Sequence, residues 1–103
     1  MNLKGTLPTL ILNALASESN HGYRIAQQIK LQSDGVLDFK EGTLYPALHK
    51  LEIHGLVKSY VEVESGRSRR YYRITKAGRA VLKLDREEWQ TYSGAVTHLL
   101  SGE

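Results

Sequence analysis

The sequence predicts a mainly α-helical fold that carries one small β-hairpin and ends in a long helix. Three observations lead to this prediction. Three successive segments repeat apolar residues with the period of a helix that is buried on one side. The next segment alternates apolar and polar residues as a strand does, and the last segment returns to the helical period. The chain has 103 residues, which is enough for one domain.

The composition excludes several classes of protein. Hydrophobic residues make up 41% of the chain and charged residues 24%, which is typical of a globular protein. The absence of cysteine excludes disulfides, thiolate metal sites and cysteine catalysis. No apolar run approaches the roughly 20 residues of a membrane span, and no signal-peptide pattern is present. We therefore expect a cytoplasmic protein with no membrane partner.

The first predicted element is an amphipathic helix near the N-terminus. Its apolar residues recur at i, i+3, i+4, i+7 and i+8, namely Leu7, Leu10, Ile11, Ala14 and Leu15. Pro8 falls in the first turn, where a helix tolerates proline.

A second helix follows after a polar turn. Asn20 is a plausible N-cap, and the helix begins at about His21 or Gly22. Its buried face would hold Ile25, Ala26 and Ile29. Residues 33–35, Ser-Asp-Gly, end it.

The third predicted helix is preceded by residues 36–39, which can form a short extended piece. Thr43 is the expected N-cap, so that Pro46 is third in the helix and its missing N–H costs nothing. The helix should end near Gly55, a natural C′ glycine. Leu44, Leu48 and Leu51 recur at i, i+4 and i+7 and should face a core.

The outward side of this third helix carries hydrogen-bond donors and no acid. It presents Thr43, Tyr45, Pro46, His49 and Lys50. A helix with one buried face and neutral or cationic donors on the other suits a nucleic-acid groove. The alternative is an ordinary solvated surface helix.

A basic hairpin comes next. Residues 57–63 alternate as a strand, residues 64–68 form a turn, and residues 70–74 form a second strand. The tip carries Arg67, Arg69 and Arg70, which would repel one another unless an anion neutralised them. A solubilising loop tip is the alternative. Tyr71 and Tyr72 point to opposite faces, and we expect Tyr72 on the core and Tyr71 toward DNA or solvent.

The charge is distributed unevenly along the chain. From Lys58 to Lys76, six cations stand against two acids, a net charge of +4. From Asp85 to Glu103, four acids stand against one arginine, a net charge of −3.

Three helices followed by a basic hairpin describe a winged helix-turn-helix, in which one helix enters the major groove of DNA. We assign residues 1–76 to this domain.

The final helix is longer than the domain needs. Thr75 caps a helix from Lys76 to about Ser101, which spans about 39 Å, whereas a chain of this size has a radius of gyration near 13 Å. Two apolar stripes on different faces are expected. The first, Ala77, Val81 and Leu84, would close the domain's own core, and the second consists of Trp89, Tyr92, Val96 and Leu99.

The second stripe has no partner left within so short a chain. A second copy related by a two-fold axis would cover it, which makes residues 77–103 a dimerisation helix within one structural unit. The alternative is that the tail folds back on its own domain. In the dimer, Trp89 would be a packing anchor at the interface or, with its symmetry mate, would form a slot for a flat aromatic ligand.

With these elements placed, the chain resembles the PadR-like (phenolic acid decarboxylase repressor) family of transcriptional regulators from about Leu7 to Ala80. The single C-terminal helix is similar to the short branch of that family. The resemblance rests on the order and spacing of Leu10-Ile11-Leu12 with Leu15, His21-Gly22-Tyr23, Gly42-Thr43-Leu44-Tyr45-Pro46-Ala47-Leu48 with Leu51-Glu52, Gly55-Leu56-Val57, Gly66-Arg67, Arg70-Tyr71-Tyr72 and Ile74-Thr75-Lys76-Ala77-Gly78.

The resemblance implies a homodimeric repressor that binds palindromic promoter DNA, an inverted repeat, and that can sense a small aromatic or hydrophobic effector near its dimer interface. In similar proteins the tyrosine at the position of Tyr45 contacts the DNA backbone, although it can also pack under the hairpin. We expect Thr43 to bind phosphate too, and His49 and Lys50 to bind phosphates or base edges. Lys40 is a phosphate contact or a solvated lysine.

No enzyme is expected. The histidines His21, His49, His54 and His98 show no metal spacing, and no nucleophile has a nearby base. We expect no cofactor. The main hypothesis is a dimeric, sequence-specific DNA-binding regulator, and the alternative is a winged-helix protein-interaction module whose basic hairpin docks an acidic partner.

Overall fold

The chain folds as helices around a small antiparallel sheet. A computed structural model describes residues 3–102, so residues 1, 2 and 103 of the two predicted units lie outside the described part. The elements are α1 (Leu3–Ser17), β1 (Asn20–His21), α2 (Gly22–Gln32), α3 (Glu41–Ile53), β2 (Val57–Glu64), β3 (Arg67–Ile74) and α4 (Lys76–Leu100). None of the helices within residues 3–102 combines the length and apolarity needed to cross a bilayer.

The core lies where α1, α2 and α3 meet the base of the sheet. Its fully buried side chains are Ile11, Leu12, Leu15, Ile25, Leu44, Leu48 and Val57. The leucine stripe of α3 faces inward as its spacing predicts, since Leu44 and Leu48 are fully buried and Leu51 is nearly so. The predicted mainly α fold with a small β element is confirmed.

The sheet has a third strand that the sequence pattern did not predict. Its strand order is β1-β3-β2, with Asn20 opposite Tyr72 and His21 opposite Tyr71. Asn20 is therefore a strand residue and not the N-cap of α2. The cap is His21, whose Nδ1 accepts a hydrogen bond from the Arg24 N–H at 3.3 Å. A strand of two residues is too short to leave an alternating pattern in the sequence.

Helix α3 begins three residues earlier than predicted. It starts at Glu41, and its N-cap is Lys40, which makes no side-chain capping bond. Backbone bonds from the N–H groups of Thr43 and Leu44 to the Lys40 carbonyl place Thr43 inside the first turn. The predicted Thr43 cap is therefore wrong, and Pro46 is sixth in the helix, where its ring removes one backbone hydrogen bond.

The other end of α3 matches the prediction. Gly55 has a φ of +73°, and the Leu56 N–H returns to the Leu51 carbonyl at 2.9 Å, which is a Schellman motif. Residues 36–39 are not part of the sheet, and Leu37 and Phe39 pack against the core from a loop.

Helix α4 starts as predicted but buries a different stripe near its start. The Thr75 side chain accepts a bond from the Gly78 N–H at 3.0 Å. Val81 packs against the core as expected. Ala77 and Leu84 are exposed, the latter by 58%, and Leu82, which is 2% exposed, faces inward instead. Gly78 explains the choice of face, because a Cβ there would clash with the Leu56 carbonyl oxygen. At Gly78 the helix lies against the Leu56 backbone and Ile74 of β3.

The buried face of α4 continues directly into the predicted second stripe. On a helix of 3.6 residues per turn, the buried Gly78 and Leu82 share one side with Trp89 and Val96. The buried stripe and the second predicted stripe therefore lie on one face of α4, and not on different faces as expected. Helix α1 covers the first half of this side and then ends. The protein is consequently elongated, with a longest extent of 57 Å and a radius of gyration of 15.1 Å.

The inward stripe of α4 can be tested by a matched pair of substitutions. Leu82→Ala should lower the free energy of unfolding by about 2–5 kcal/mol, because it leaves a cavity in the core. Leu84→Ala removes the same atoms from an exposed position and should change it by less than about 0.5 kcal/mol. Urea unfolding at one protein concentration measures both. Equal losses would contradict the assignment of the inward stripe.

Candidate nucleic-acid interface

The outer side of α3 is open to solvent, as the sequence predicts. The five candidates on and before this helix are all exposed, namely Lys40, Thr43, Tyr45, His49 and Lys50. They do not form one patch, however. The buried leucines fix the rotation of α3. The exposed residues therefore lie on the side opposite the leucines, which we call the crest, and on the two flanks that border it.

Tyr45 lies on the flank of α3 that faces the hairpin. We call this hairpin of β2 and β3 the wing. Its ring rests on the start of α2, where a Cβ on Gly22 would be 2.7 Å from a ring carbon. Glycine at this position therefore makes room for the phenol. Tyr45 is 40% exposed and shares a depression of about 390 Å³ with His21, Tyr23, Arg69, Arg70 and Tyr72. The structure thus brings Tyr45 together with two of the three wing arginines.

Arg70 ties the wing to the end of α3. Its Nη1 donates to the Ser59 hydroxyl at 2.9 Å. The Ser59 hydroxyl and N–H both donate to the Glu52 carboxylate, the N–H at 3.2 Å. Glu52 is in the last turns of α3, so this chain of bonds holds β2 against the helix and orients one guanidinium beside it.

Arg67 and Arg69 lie on the other face of the wing. Residues of a strand alternate between faces, and the register places Arg67 opposite Glu64 and Arg69 opposite Glu62. The Arg69 Nη1 is 3.5 Å from the His21 Nε2. The three arginines are therefore spread over both faces of the wing, two on one and Arg70 on the other.

Tyr71 is buried, contrary to the expectation that it faces DNA or solvent. It is 9% exposed, lies edge-on to His21 at a centroid distance of 5.4 Å and stacks on Tyr60 at 5.8 Å. Its hydroxyl donates to the Glu64 carboxylate. The side chain of His21, in the unpredicted strand β1, packs against Tyr71 on this face of the sheet. Tyr72 packs on the core as expected.

Thr43 and Lys50 lie on the opposite flank of α3 from Tyr45. Together with Ala47 and His54 they recur at i, i+4, i+7 and i+11, which is one side of a helix. This side lines a groove against α1. His49 is four residues after Tyr45 and lies between the Tyr45 flank and the side of α3 that is opposite the buried leucines.

Lys40 is paired on the surface. Its Nζ lies 3.2 Å from the Asp38 carboxylate, and the Lys30 Nζ lies 3.5 Å from the same oxygen. The hydrogen bond from Lys40, more than the charge of Lys30, lowers the pKa of Asp38. Exposed ion pairs contribute little to stability, so a phosphate can replace Asp38 as the partner of Lys40 at small cost.

His21 is a site residue that the sequence pattern did not reveal. It caps α2, contacts Arg69 and packs on Tyr71. Burial lowers its pKa, and the charges of Arg69 and Arg24 lower it further, against an opposing effect of Glu64. The neutral ring is required, because a protonated ring could not accept the capping bond. The one available signal was its place in the His21-Gly22-Tyr23 motif.

Among residues 3–102, no cluster of three or more metal-ligating side chains is present. The arrangement can instead bind an extended anion. It presents an exposed helix with a phenol on one flank, an ammonium on the other and guanidinium groups on the adjacent wing.

Comparison with known proteins agrees with this arrangement. The model of the "Transcriptional regulator PadR-like family" matches residues 11–84. The chain is 45% identical over 76 residues to the transcriptional regulator Rv3488 of Mycobacterium tuberculosis, which covers 74% of this chain and 68% of that protein. A transcriptional regulator from Clostridium thermocellum superposes with a TM-score of 0.86 at 35% identity, covering 93% and 94% of the two chains. A PadR-like regulator from Bacillus cereus gives 0.85 at 30% identity, covering 98% and 97%.

The capping histidine predicts a pH-dependent stability. Because the folded-state pKa of His21 is below its ordinary 6.5, the unfolded chain binds a proton first as the pH falls. The stabilisation from neutral His21 is complete above that ordinary value and is lost as the pH falls toward the lowered pKa. His21→Asn keeps a capping acceptor without titrating, so it should lose less stability between about pH 7.5 and about pH 5.5.

Urea unfolding at the two pH values measures this difference. His49→Asn, which removes an exposed histidine of α3 that has no capping role, is the matched control and should keep the wild-type dependence. Wild-type behaviour of His21→Asn would show that the cap does not titrate in this range.

Proposed function

This chain belongs to the PadR-like family of transcriptional regulators, and we propose that it works as a homodimeric repressor that binds an inverted repeat in promoter DNA. Its relatives are regulators of transcription and not enzymes. The observation that carries the proposal is the shared depression in which Tyr45 of α3 meets Arg69 and Arg70 of the wing. Recognition helix and wing thus present one continuous donor surface to a duplex.

The proposed contacts divide by position. The crest of α3 with His49 enters the major groove, where donors meet base edges. Tyr45, Arg69 and Arg70 bind the phosphates on the wing side of that groove, and Lys50 and Thr43 bind on the other side. Arg67 at the wing tip and Lys40 before α3 extend the phosphate contacts. In this proposal the side chains on the crest of α3 read the bases, and the arginines bind the phosphate backbone of the DNA.

The exposed half of α4 supports the proposed dimer. Trp89 is 43% and Tyr92 48% exposed, and Leu99 is 75% exposed, while Val96 is partly covered. They continue the face that packs on α1, and the rings of Trp89 and Tyr92 already stack at 6.3 Å. A two-fold copy that covers this face would bring two recognition helices to successive major grooves about 34 Å apart.

Repression follows where the operator overlaps a promoter. Release requires an effector that binds the DNA-incompetent dimer more tightly than the DNA-bound one. The paired indoles of Trp89 across the two-fold axis are the proposed place for a small aromatic effector. This role adds to the packing role of Trp89 and does not replace it.

The wing assignment predicts a change in the salt dependence of DNA binding. Arg69→Ala with Arg70→Ala should weaken binding to all duplexes and flatten the log–log salt slope by about 0.9 for each phosphate that is no longer neutralised. Fluorescence anisotropy at several salt concentrations measures the slope. Lys58→Ala with Arg73→Ala is the matched control, because it removes the same charge from facing positions at the base of the hairpin.

The control variant, Lys58→Ala with Arg73→Ala, should change the salt slope less than Arg69→Ala with Arg70→Ala does. Identical slopes for the tip variant and the wild type would remove the wing from the interface. No binding to any duplex at low salt would favour a protein-interaction module with an acidic partner.

The dimer predicts a mass of twice 11.6 kDa for the wild type in light scattering at micromolar concentration. Val96→Glu places a charge in the apolar face and should shift the protein to monomer. Thr91→Glu adds the same charge on the opposite side of α4, where it is exposed, and should leave the dimer intact. A monomeric wild type would contradict the proposal.

A further inference from the structure

The crest of α3 is an apolar strip between two polar flanks. Gly42, Pro46 and Ile53 recur at i, i+4 and i+11, which places them together on the side opposite the buried leucines. All three are exposed, and Ile53 is 69% exposed. His49 borders this strip on the Tyr45 side and adds one imidazole to it. The part of α3 that would reach deepest into a DNA groove thus offers mainly carbon atoms.

Two residues of the crest weaken the helix and bring no gain in packing. Pro46 has no N–H to donate to the Gly42 carbonyl one turn earlier, so the helix forgoes that bond. Glycine inside a helix is less stable than alanine, yet a Cβ on Gly42 would meet no atom within 4 Å. Alanine would therefore fit there. Residues that break local rules without a packing reason are expected where a protein meets its partner.

Ile53 is an apolar side chain held outward at the end of α3. It is not part of the hydrophobic core or of the side chains that pack against that core. The residue before it, Glu52, accepts a hydrogen bond from the Ser59 N–H at 3.2 Å, and the turn at Gly55 follows. The last turn of the helix is therefore anchored to β2. Ile53 can meet a partner without a loss of backbone freedom.

The charges beside the crest identify the partner as duplex DNA. Lys50 lies on one flank, and Tyr45 shares a depression with Arg69 and Arg70 on the other. A duplex whose phosphates bind both flanks presents its major groove to the crest. In that groove the apolar group on a base edge is the 5-methyl group of thymine. The other base-edge groups would lose water against the crest and gain no hydrogen bond.

We propose that the crest of α3 recognises thymine by its methyl group. Pro46 and Ile53 each contact the 5-methyl group of one thymine in a half-site, and Gly42 leaves room for the duplex to approach. The inference rests on the proposed function, because it names what the crest recognises. Seven positions separate Pro46 from Ile53, about 10.5 Å along the helix axis, so the two thymines should lie within about four base pairs of each other.

The experiment removes single methyl groups from the DNA. Selection from a random duplex library with the wild-type protein supplies a bound sequence. Each thymine of one half-site is then replaced by deoxyuridine, which pairs identically and lacks only the 5-methyl group. At two thymines the replacement should raise the dissociation constant about fourfold, the value of one buried methyl group, and at the others it should have little effect. Fluorescence anisotropy measures each constant.

Variants of the crest connect each methyl group to its contact. Ile53→Ala should remove the effect of deoxyuridine at one of the two thymines, and Pro46→Ala should reduce it at the other. The salt slope of Ile53→Ala should equal that of the wild type, because no phosphate contact is lost. Leu84→Ala is the matched control, since it removes the same number of carbon atoms from an exposed position of α4. It should keep both effects.

Three outcomes would overturn this inference and leave the proposed function intact. The first is salt-dependent binding to a duplex that no deoxyuridine replacement weakens. The second is retention of both methyl effects in Ile53→Ala and in Pro46→Ala. The third is a flattened salt slope in Ile53→Ala, which would make Ile53 a support for a phosphate contact. Failure of the wild type to bind any duplex at low salt would instead overturn the proposed function, and this inference with it.

Discussion

The burial of the leucine stripe of α3 is the interaction on which the rest of the structure depends. Leu44, Leu48 and Leu51 are removed from water against α1 and the sheet, and each such burial contributes about 1.5–3 kcal/mol. This energy fixes the rotation of α3 about its axis, because no other side of the helix is as apolar. Everything exposed on α3 is positioned as a consequence, with Tyr45 toward the wing, Lys50 toward α1 and His49 between them.

The contact between α2, α3 and the wing depends on two small features at one point in the chain. Strand β1 joins the start of α2 to the sheet, and Gly22 leaves room for the ring of Tyr45. His21 lies at this junction, because its Nδ1 caps α2 and its ring packs edge-on against Tyr71 of the wing. Helix α3 and the wing are therefore held in a fixed relation by a neutral histidine, a glycine and two pairs of backbone partners.

One face of α4 is buried near the start of the helix and exposed near its end. Gly78 lets the helix approach the sheet, and Leu82 seals the core there. The same side of α4 then extends beyond α1 and, within residues 3–102, is largely exposed from Trp89 onward. An apolar side that extends past its own domain favours assembly with a second copy, and it costs the monomer little because the helix is already anchored at its start by the Thr75 cap.

The sequence by itself determined the type and order of the main elements, the leucine face of α3, the Gly55 stop, the Thr75 cap and the exposure of the candidate DNA residues, because each depends on periodicity or on local turn chemistry. It also sufficed to identify the family. Only the tertiary structure decided which residues share a surface. Strand β1 is too short for a pattern, the N-cap of α3 is Lys40 and not Thr43, and Leu82 rather than Leu84 faces inward because Gly78 sets the closest approach. These outcomes depend on packing between segments distant in sequence, which no local pattern encodes.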